Sequence, residues 1–189
     1  MPEARGARHE AREVGRVIRG RRVENDAWQV VGVDPAEDLS MLPAGPVIVP
    51  LKLWKDRADE LLARPAPIGV WLAADEDPAE LAPALPRLAP RASCLGVHFA
   101  KFSDGRGYST GALLRTRHGW RGELRAFGDI GRDHLPALAR CGFDAFRLPA
   151  QRDPQDALAA FDAFSLAYQG AVDDPVPLFR KRALARSSP

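Results

Sequence analysis

The chain has 189 residues, of which 46% are hydrophobic and 28% are charged, a balance typical of one folded globular domain and unlike that of disordered or fibrous chains. No apolar run approaches the ~20 residues that cross a bilayer, and Glu3, Glu10 and Glu13 argue against a secretory or organelle-targeting leader. We therefore expect a cytoplasmic protein that does not contact a membrane.

The net charge of +2 is unevenly distributed along the chain. Residues 1–22 carry +4 and residues 180–189 carry another +4, which leaves 23–179 with −6. Basic tails can bind nucleic acid or an acidic partner, but no aromatic residue interrupts the first tail and no nucleic-acid-binding motif accompanies it, so solvated ends are favoured. We divide the chain into a basic, flexible segment over 1–26, a single α/β domain over 27–170, and a Pro-containing basic tail over 171–189.

Short apolar runs alternate with helix-period segments along the domain. Strands are predicted at Trp28–Val33, Pro46–Pro50, Ile68–Ala73, Cys94–Phe99, Glu123–Phe127 and Phe143–Leu148. The predicted helices cover Leu51–Arg64, a short or broken stretch after Asp77–Pro78, Tyr108–His118, the residues from the Gly128–Asp129 turn to Cys141, and a last segment from Asp153 whose apolar stripe is Ala157, Phe161, Phe164 and Tyr168.

This alternation predicts an α/β fold with a parallel β-sheet flanked by helices. Two architectures fit the pattern: a doubly wound, three-layer sheet, and, as the alternative, a partial or shortened (β/α) barrel. Both place ligands in the loops that follow the carboxyl ends of the strands.

The loop from Lys101 to Ser109 is the first candidate site. Its glycines Gly105 and Gly107 would permit a positive φ and a close approach of the backbone to a ligand, directly before a helix whose N-terminus favours anions. The pattern indicates a pocket for a small oxyanion or a phosphate, while a tight turn with its cations in solvent is the competing interpretation. The residues assigned to the pocket are Lys101, Gly105, Arg106, Gly107 and Tyr108 as ligand-binding, with Asp104 as catalytic.

The turn from Gly128 to His134 is the second candidate site. Asp129, at a strand tip, suits an acid, a base or an acceptor for a ligand hydroxyl, and we assign it as catalytic; Arg132 and Asp133 are assigned as ligand-binding. Helix capping by Asp129 and a favourable first-turn position for Asp133 are the competing interpretation. We predict that the two turns emerge side by side from one rim of the sheet.

Other chemistries find little support in the sequence. His98 lies within a predicted strand and is interpreted as a core or interface histidine, and the histidines have no metal-ligand spacing, so no metal site is predicted. Cys94 begins a strand and Cys141 precedes one, which excludes them as a redox pair at the rim. No nicotinamide, flavin or P-loop fingerprint is present, and the sequence identifies no cofactor.

The segments GVHFAKFSDGRGYSTGALLR, GELRAFGDIGRDHLPALARCGFDAF and FDAFSLAYQ resemble a bacterial family, domain of unknown function 934. The resemblance covers about Trp28–Gln169 and is strongest over Val97–Phe146. It implies an oxidoreductase or accessory protein of assimilatory sulfate and sulfite reduction, whose electrons would come from a bound cofactor or a partner protein.

Two hypotheses follow from the residues and the resemblance together. In the first, the protein binds a small oxyanion or phosphorylated ligand at the loops that follow the strands. In the second, it is a non-catalytic interaction partner of sulfite reductase or of another sulfate-assimilation protein. A nucleotide- or sugar-phosphate enzyme of barrel type is a third, and it requires a pocket deep enough for a ring.

Overall fold

The computed structural model describes residues 15–32, 42–89, 94–163 and 167–187. The described strands are β1 (Gly15–Arg19), β2 (Arg22–Asp26), β3 (Gln29–Val30), β4 (Val47–Pro50), β5 (Ile68–Ala73), β6 (Cys94–Phe99), β7 (Glu123–Gly128) and β8 (Ala145–Arg147). The described α-helices are α1 (Leu51–Ala63), α2 (Leu85–Leu88), α3 (Arg106–Thr116), α4 (Leu135–Arg140), α5 (Pro154–Ala157) and α6 (Leu178–Ser187). Short 3₁₀ segments cover Pro78–Glu80, Ala82–Ala84 and Leu158–Asp162.

All eight strands belong to one sheet of order β2-β1-β8-β7-β6-β5-β4-β3. Strands β3 to β8 are parallel and follow one another in chain order, while β1 is antiparallel to both β2 and β8. The predicted α/β class and the parallel sheet are thus confirmed. The strand order matches the partial-barrel alternative, because a doubly wound sheet reverses its strand order at a switch point and the described strands do not.

The curl of the sheet follows from a short connection. β2 ends at Asp26 and β3 begins at Gln29, although these strands are the two opposite edges of the sheet. Three Cα–Cα steps span at most ~11 Å, whereas the edges of a flat eight-stranded sheet would lie ~34 Å apart. The sheet must therefore curl until its edges approach each other, which gives a partial barrel with an inside and an outside.

The strands read as nearly continuous apolar runs because both of their faces are covered. On the outer face, Val49, Leu72 and Val97 belong to the main core together with helix residues such as Trp54 and Leu114. The inner face carries a second, smaller cluster of Ile48, Trp71, Cys94 and Phe127, against which Trp28, Val30 and Ala73 pack.

A buried ion-pair network lies inside the barrel beneath this cluster. Arg125 is 0% exposed, and its guanidinium donates to Asp26 at 2.7 Å and to Glu123 at 2.7 Å. Arg19 donates to the other oxygen of Glu123 at 2.6 Å. Because Asp26 lies on β2 and Arg125 on β7, the network ties the terminal hairpin to the parallel strands.

Several predicted segments differ from the structure. Residues 15–26, expected within the flexible segment, form the β1–β2 hairpin, because Val17 and Ile18 are buried in the sheet. The tail predicted as loop contains helix α6. The last predicted helix, from Asp153, is shorter than expected, since its 3₁₀ segment ends at Asp162. Of its predicted apolar face, Tyr168 is 64% exposed and Phe164 is outside the described residues.

Among the described residues, no helix is both long and apolar enough to cross a membrane.

Candidate functional site

The two predicted turns do emerge side by side from one rim of the sheet. β6 and β7 are neighbours, with Phe99 paired to Gly128 at their carboxyl ends. The Asp129 carboxylate accepts the backbone N–H of Phe102 at 3.0 Å, and the Asp129 N–H donates to the carbonyl of Phe99 at 2.7 Å. The predicted juxtaposition is confirmed, and Asp129 is the residue that joins the two turns.

The Lys101–Ser109 loop is organised around an ion pair between Asp104 and Arg106. Arg106 donates through Nε at 3.0 Å and through Nη2 at 2.7 Å to the two carboxylate oxygens, and its backbone N–H donates to Oδ1 at 3.1 Å. These hydrogen bonds lower the pKa of Asp104 to about 2. The carboxylate therefore stays ionised at neutral pH and is held by Arg106 at the start of α3.

The other residues predicted in this loop are distributed between solvent and core. Lys101 is exposed, and Tyr108 packs edge-on against the Phe99 ring at 5.6 Å between helix and sheet, where burial raises its pKa. Gly105 has φ −77°, so no positive φ is needed there. A Cβ at Gly107 would lie 2.6 Å from the Phe99 ring, so this glycine permits close packing of α3 on β6. The expected positive φ is wrong for both glycines. At Gly107 packing against Phe99 requires the missing Cβ, whereas at Gly105 nothing lies within 4 Å of an added Cβ.

The second turn is closed by its own histidine. The backbone N–H of Gly131 donates to Nδ1 of His134 at 2.8 Å. Arg132 and Asp133 are exposed, and Asp133 lies 3.6 Å from the His134 ring nitrogen. Of the residues predicted in this turn, Asp129 is the one that lines a groove.

That groove, which we call the mouth groove, opens where the carboxyl ends of the strands surround the barrel interior. It has a volume of about 550 Å³. Its lining comes from both sides of the barrel: Val30, His98, Phe127, Gly128, Asp129, Arg147, Leu148, Pro149 and Ala150. This is the position at which barrel folds place their ligands.

A row of three side chains crosses the floor of the mouth groove. His98, Phe127 and Arg147 are register partners on β6, β7 and β8. The His98 and Phe127 rings stack at 5.1 Å, and Trp71 meets both rings edge-on at 5.5 and 5.9 Å. Burial lowers the pKa of His98, which keeps the imidazole neutral at neutral pH.

Arg147 is the cation of this row. Its side chain is half-buried, and its guanidinium has no hydrogen-bond or ion-pair partner within the described parts of the chain. It lies beside Gly15, where an added Cβ would be 3.9 Å from Nε and from Nη2. A half-buried guanidinium facing an open groove favours an anionic ligand.

Gly128 shapes the same floor through its backbone. Its φ is +103°, a conformation that side-chain-bearing residues rarely adopt, and a Cβ there would lie 2.8 Å from Cδ2 of His98. The glycine thus lets the chain turn directly from β7 into Asp129 without displacing the histidine.

Arg147 is not among the site residues predicted from the sequence, in which His98 is interpreted as a core or interface histidine rather than a site residue. The signal for both was present: period-two alternation puts Phe146 on the outer face and Arg147 on the inner face, at a strand's carboxyl end. Cys94 is buried in the inner cluster, where burial raises the pKa of its thiol, and Cys141 is half-buried at the end of α4. No group of His, Cys, Asp and Glu side chains that could hold a metal occurs in the described residues.

The fold and the groove define a partial (β/α) barrel with a candidate ligand site at its mouth. The chain belongs to the family described as bacterial protein of unknown function (DUF934), whose family model matches residues 69–179. The match includes β5 to β8 and therefore most of the mouth groove. No curated protein and no solved structure matches the chain.

Proposed function

We propose that this protein binds a small sulfur oxyanion or a phosphorylated ligand in the mouth groove and acts in cytoplasmic assimilatory sulfite reduction. The observation that carries the binding proposal is the half-buried guanidinium of Arg147, which has no acidic partner in the described residues and faces an open groove. The sulfite-reduction setting is implied by the sequence resemblance alone.

In this proposal Arg147 binds the anion, and Asp129 accepts a hydrogen bond from the ligand or a water. The neutral imidazole of His98 is available as a hydrogen-bond donor beside them. The oxidoreductase role implied by the resemblance is a further part of the proposal, and its electrons would come from a bound cofactor or a partner protein.

The loop cations Lys101 and Arg106 are the competing anion-binding residues predicted from sequence. Both are exposed, and Arg106 is already engaged by Asp104. Because an exposed, paired guanidinium gives an added anion little net attraction, we favour Arg147 as the primary contact.

Calorimetric titration of the full chain with sulfite, sulfate and phosphate tests the proposal. We expect at least one of these anions to bind, and we expect Arg147→Gln to weaken binding by about tenfold or more, as loss of a charged hydrogen bond does. Arg106→Gln is the matched control and should retain the affinity. Binding that survives Arg147→Gln but is lost in Arg106→Gln would move the site to the loop, and no binding by any of the three anions would refute the proposal.

A second candidate function is that of a docking partner for sulfite reductase. The observation that favours it is Phe102, which is 65% exposed at the rim although its backbone is held by Asp129. An aromatic ring presented on an ordered turn is a common interface residue. Pull-down with purified sulfite reductase should weaken with Phe102→Ser and persist with Phe179→Ser, a change at a 55% exposed ring on α6. Equal retention of the reductase by both variants would refute this role for the rim.

A further inference from the structure

A second groove, which we call the outer groove, adjoins the mouth groove at the chain segment that follows β8. This outer groove has a volume of about 510 Å³ and shares the wall Arg147–Ala150 with the mouth groove. The rest of its lining is Gly15, Arg16, Gln151, Arg152, Asp153 and Pro154. Arg147 lines both grooves, and we call the two adjoining grooves together the trench.

The inner end of the trench is large and mostly apolar. Its walls include Val30, Phe127, Leu148 and Pro149, with the imidazole of His98 stacked on Phe127. Sites for organic ligands commonly enclose ~300–1,000 Å³, and the mouth groove of about 550 Å³ falls in that range. A tetrahedral oxyanion would leave most of this space empty, whereas a flat ring system would fill it.

The outer end of the trench has an excess of positive charge. Arg16 is paired with Asp153 at 3.3 Å, so these two charges compensate each other. Arg147 and Arg152 have no ionic partner in the part of the chain that the structure describes. The Arg152 guanidinium lies against the backbone of Gly131, where an added Cβ would collide with it. The Asp133 carboxylate, whose Oδ1 lies 2.6 Å from the same Cβ position at Gly131, partly offsets the charge of Arg152 without forming an ion pair with it in the described residues. Two guanidinium groups along one trench suit a dianionic group such as a phosphate monoester.

We infer that the ligand is a phosphorylated heteroaromatic compound of the nucleotide class, with its ring in the mouth groove and its phosphate between Arg147 and Arg152. This inference rests on the proposed anion site at Arg147 and specifies what is attached to the anion. The ring packs against the apolar walls beside His98, while Asp129 accepts a hydrogen bond from an amino or hydroxyl group of the ligand.

Calorimetry on the full chain with three probes tests the inference: adenosine 5′-monophosphate, adenosine and inorganic phosphate. The monophosphate should bind about tenfold or more tightly than either part alone, because one ligand then uses both ends of the trench. Arg152→Gln should weaken the monophosphate and inorganic phosphate alike by about tenfold, because both place a phosphate between the two guanidinium groups, and should leave adenosine within about twofold of the parent chain. Arg117→Gln is the control, since this exposed arginine after α3 lines neither groove.

The monophosphate binding no more tightly than inorganic phosphate would overturn the inference, as would equal effects of Arg152→Gln and Arg117→Gln. If sulfite or phosphate still binds through Arg147 in that case, the proposed function stands and the nucleotide inference alone fails. If Arg147→Gln changes the affinity of no probe, both fail. A circular dichroism spectrum matching the parent chain accompanies each variant, so that loss of binding is not mistaken for loss of fold.

Discussion

Removal of the Asp26 carboxylate should strongly destabilise the barrel. Arg125 is fully buried, and its guanidinium is neutralised by Asp26 at 2.7 Å and by Glu123, which also serves Arg19. Asp26→Ala removes the one carboxylate that Arg125 does not share with Arg19 within the described network, and it also leaves the backbone N–H of Trp28 without its acceptor at 3.1 Å.

Breaking a buried ion pair from one side costs about 3–5 kcal/mol, because the remaining charge stays buried without compensation. Domains of this kind have a total stability of about 5–15 kcal/mol. We therefore expect Asp26→Ala to remove a large part of the free energy of unfolding. Urea unfolding followed by tryptophan fluorescence measures the change, and an unchanged dependence on urea concentration indicates that the native fold is retained.

The double variant Asp26→Ala with Arg125→Met separates charge burial from simple packing loss. Because it removes both partners, it should be about 2 kcal/mol or more stable than the sum of the two single changes predicts. Additive single effects, or a cost below about 1 kcal/mol for Asp26→Ala, would refute the claim that removing Asp26 leaves the buried charge of Arg125 without compensation.

Three further predictions concern the rim. Gly107→Ala should cost about 1–3 kcal/mol through its contact with Phe99, whereas Gly105→Ala, with nothing within 4 Å of the new Cβ, should be neutral or slightly stabilising in urea unfolding; equal costs would contradict this. The lowered pKa of His98 means that its protonation opposes folding, so stability should fall as pH drops below the usual value of 6.5 through the folded-state pKa, and His98→Gln should flatten this dependence in thermal unfolding; an unchanged slope would count against it. Gly128→Ala should lower stability and weaken anion binding together, since the new Cβ would collide with the Phe99 carbonyl oxygen and lie 2.8 Å from Cδ2 of His98, and calorimetry showing unchanged affinity would disprove the link to binding.

The short continuous apolar runs predicted the central strands closely: Ile68–Ala73 and Cys94–Phe99 have the same bounds in the structure. Such runs carry their own signal, because a strand covered on both faces is apolar throughout. The β1–β2 hairpin was missed since only Val17 and Ile18 are apolar and buried in a stretch dominated by arginines. The position of this hairpin beside β8 depends on pairing between residues far apart in the sequence, which a local sequence pattern cannot predict.

The rim itself was predictable, but the identity of its binding cation was not. Chain order placed Asp129 and the Lys101–Ser109 loop at neighbouring strand ends, and the structure agrees. Because glycines and cations lie close together in the Lys101–Ser109 loop, the sequence predicted Arg106 as the anion-binding residue. In the structure its charge is compensated by Asp104. Arg147 has no other candidate site residue near it in the sequence. Its place in the site becomes visible only from the strand register, which puts it in one row with His98 and Phe127.

The pairing of β1 with β8 has a consequence for how the chain folds during synthesis. Strands β3 to β8 can assemble as they leave the ribosome, each joining the one made before it. Ile18 is synthesised early, but β1 can pair with β8 only after Phe146, the register partner of Ile18, has been synthesised. We therefore expect the hairpin to dock last, closing a loop that includes nearly the whole domain, and the trench beside Arg147 to form only at that final step.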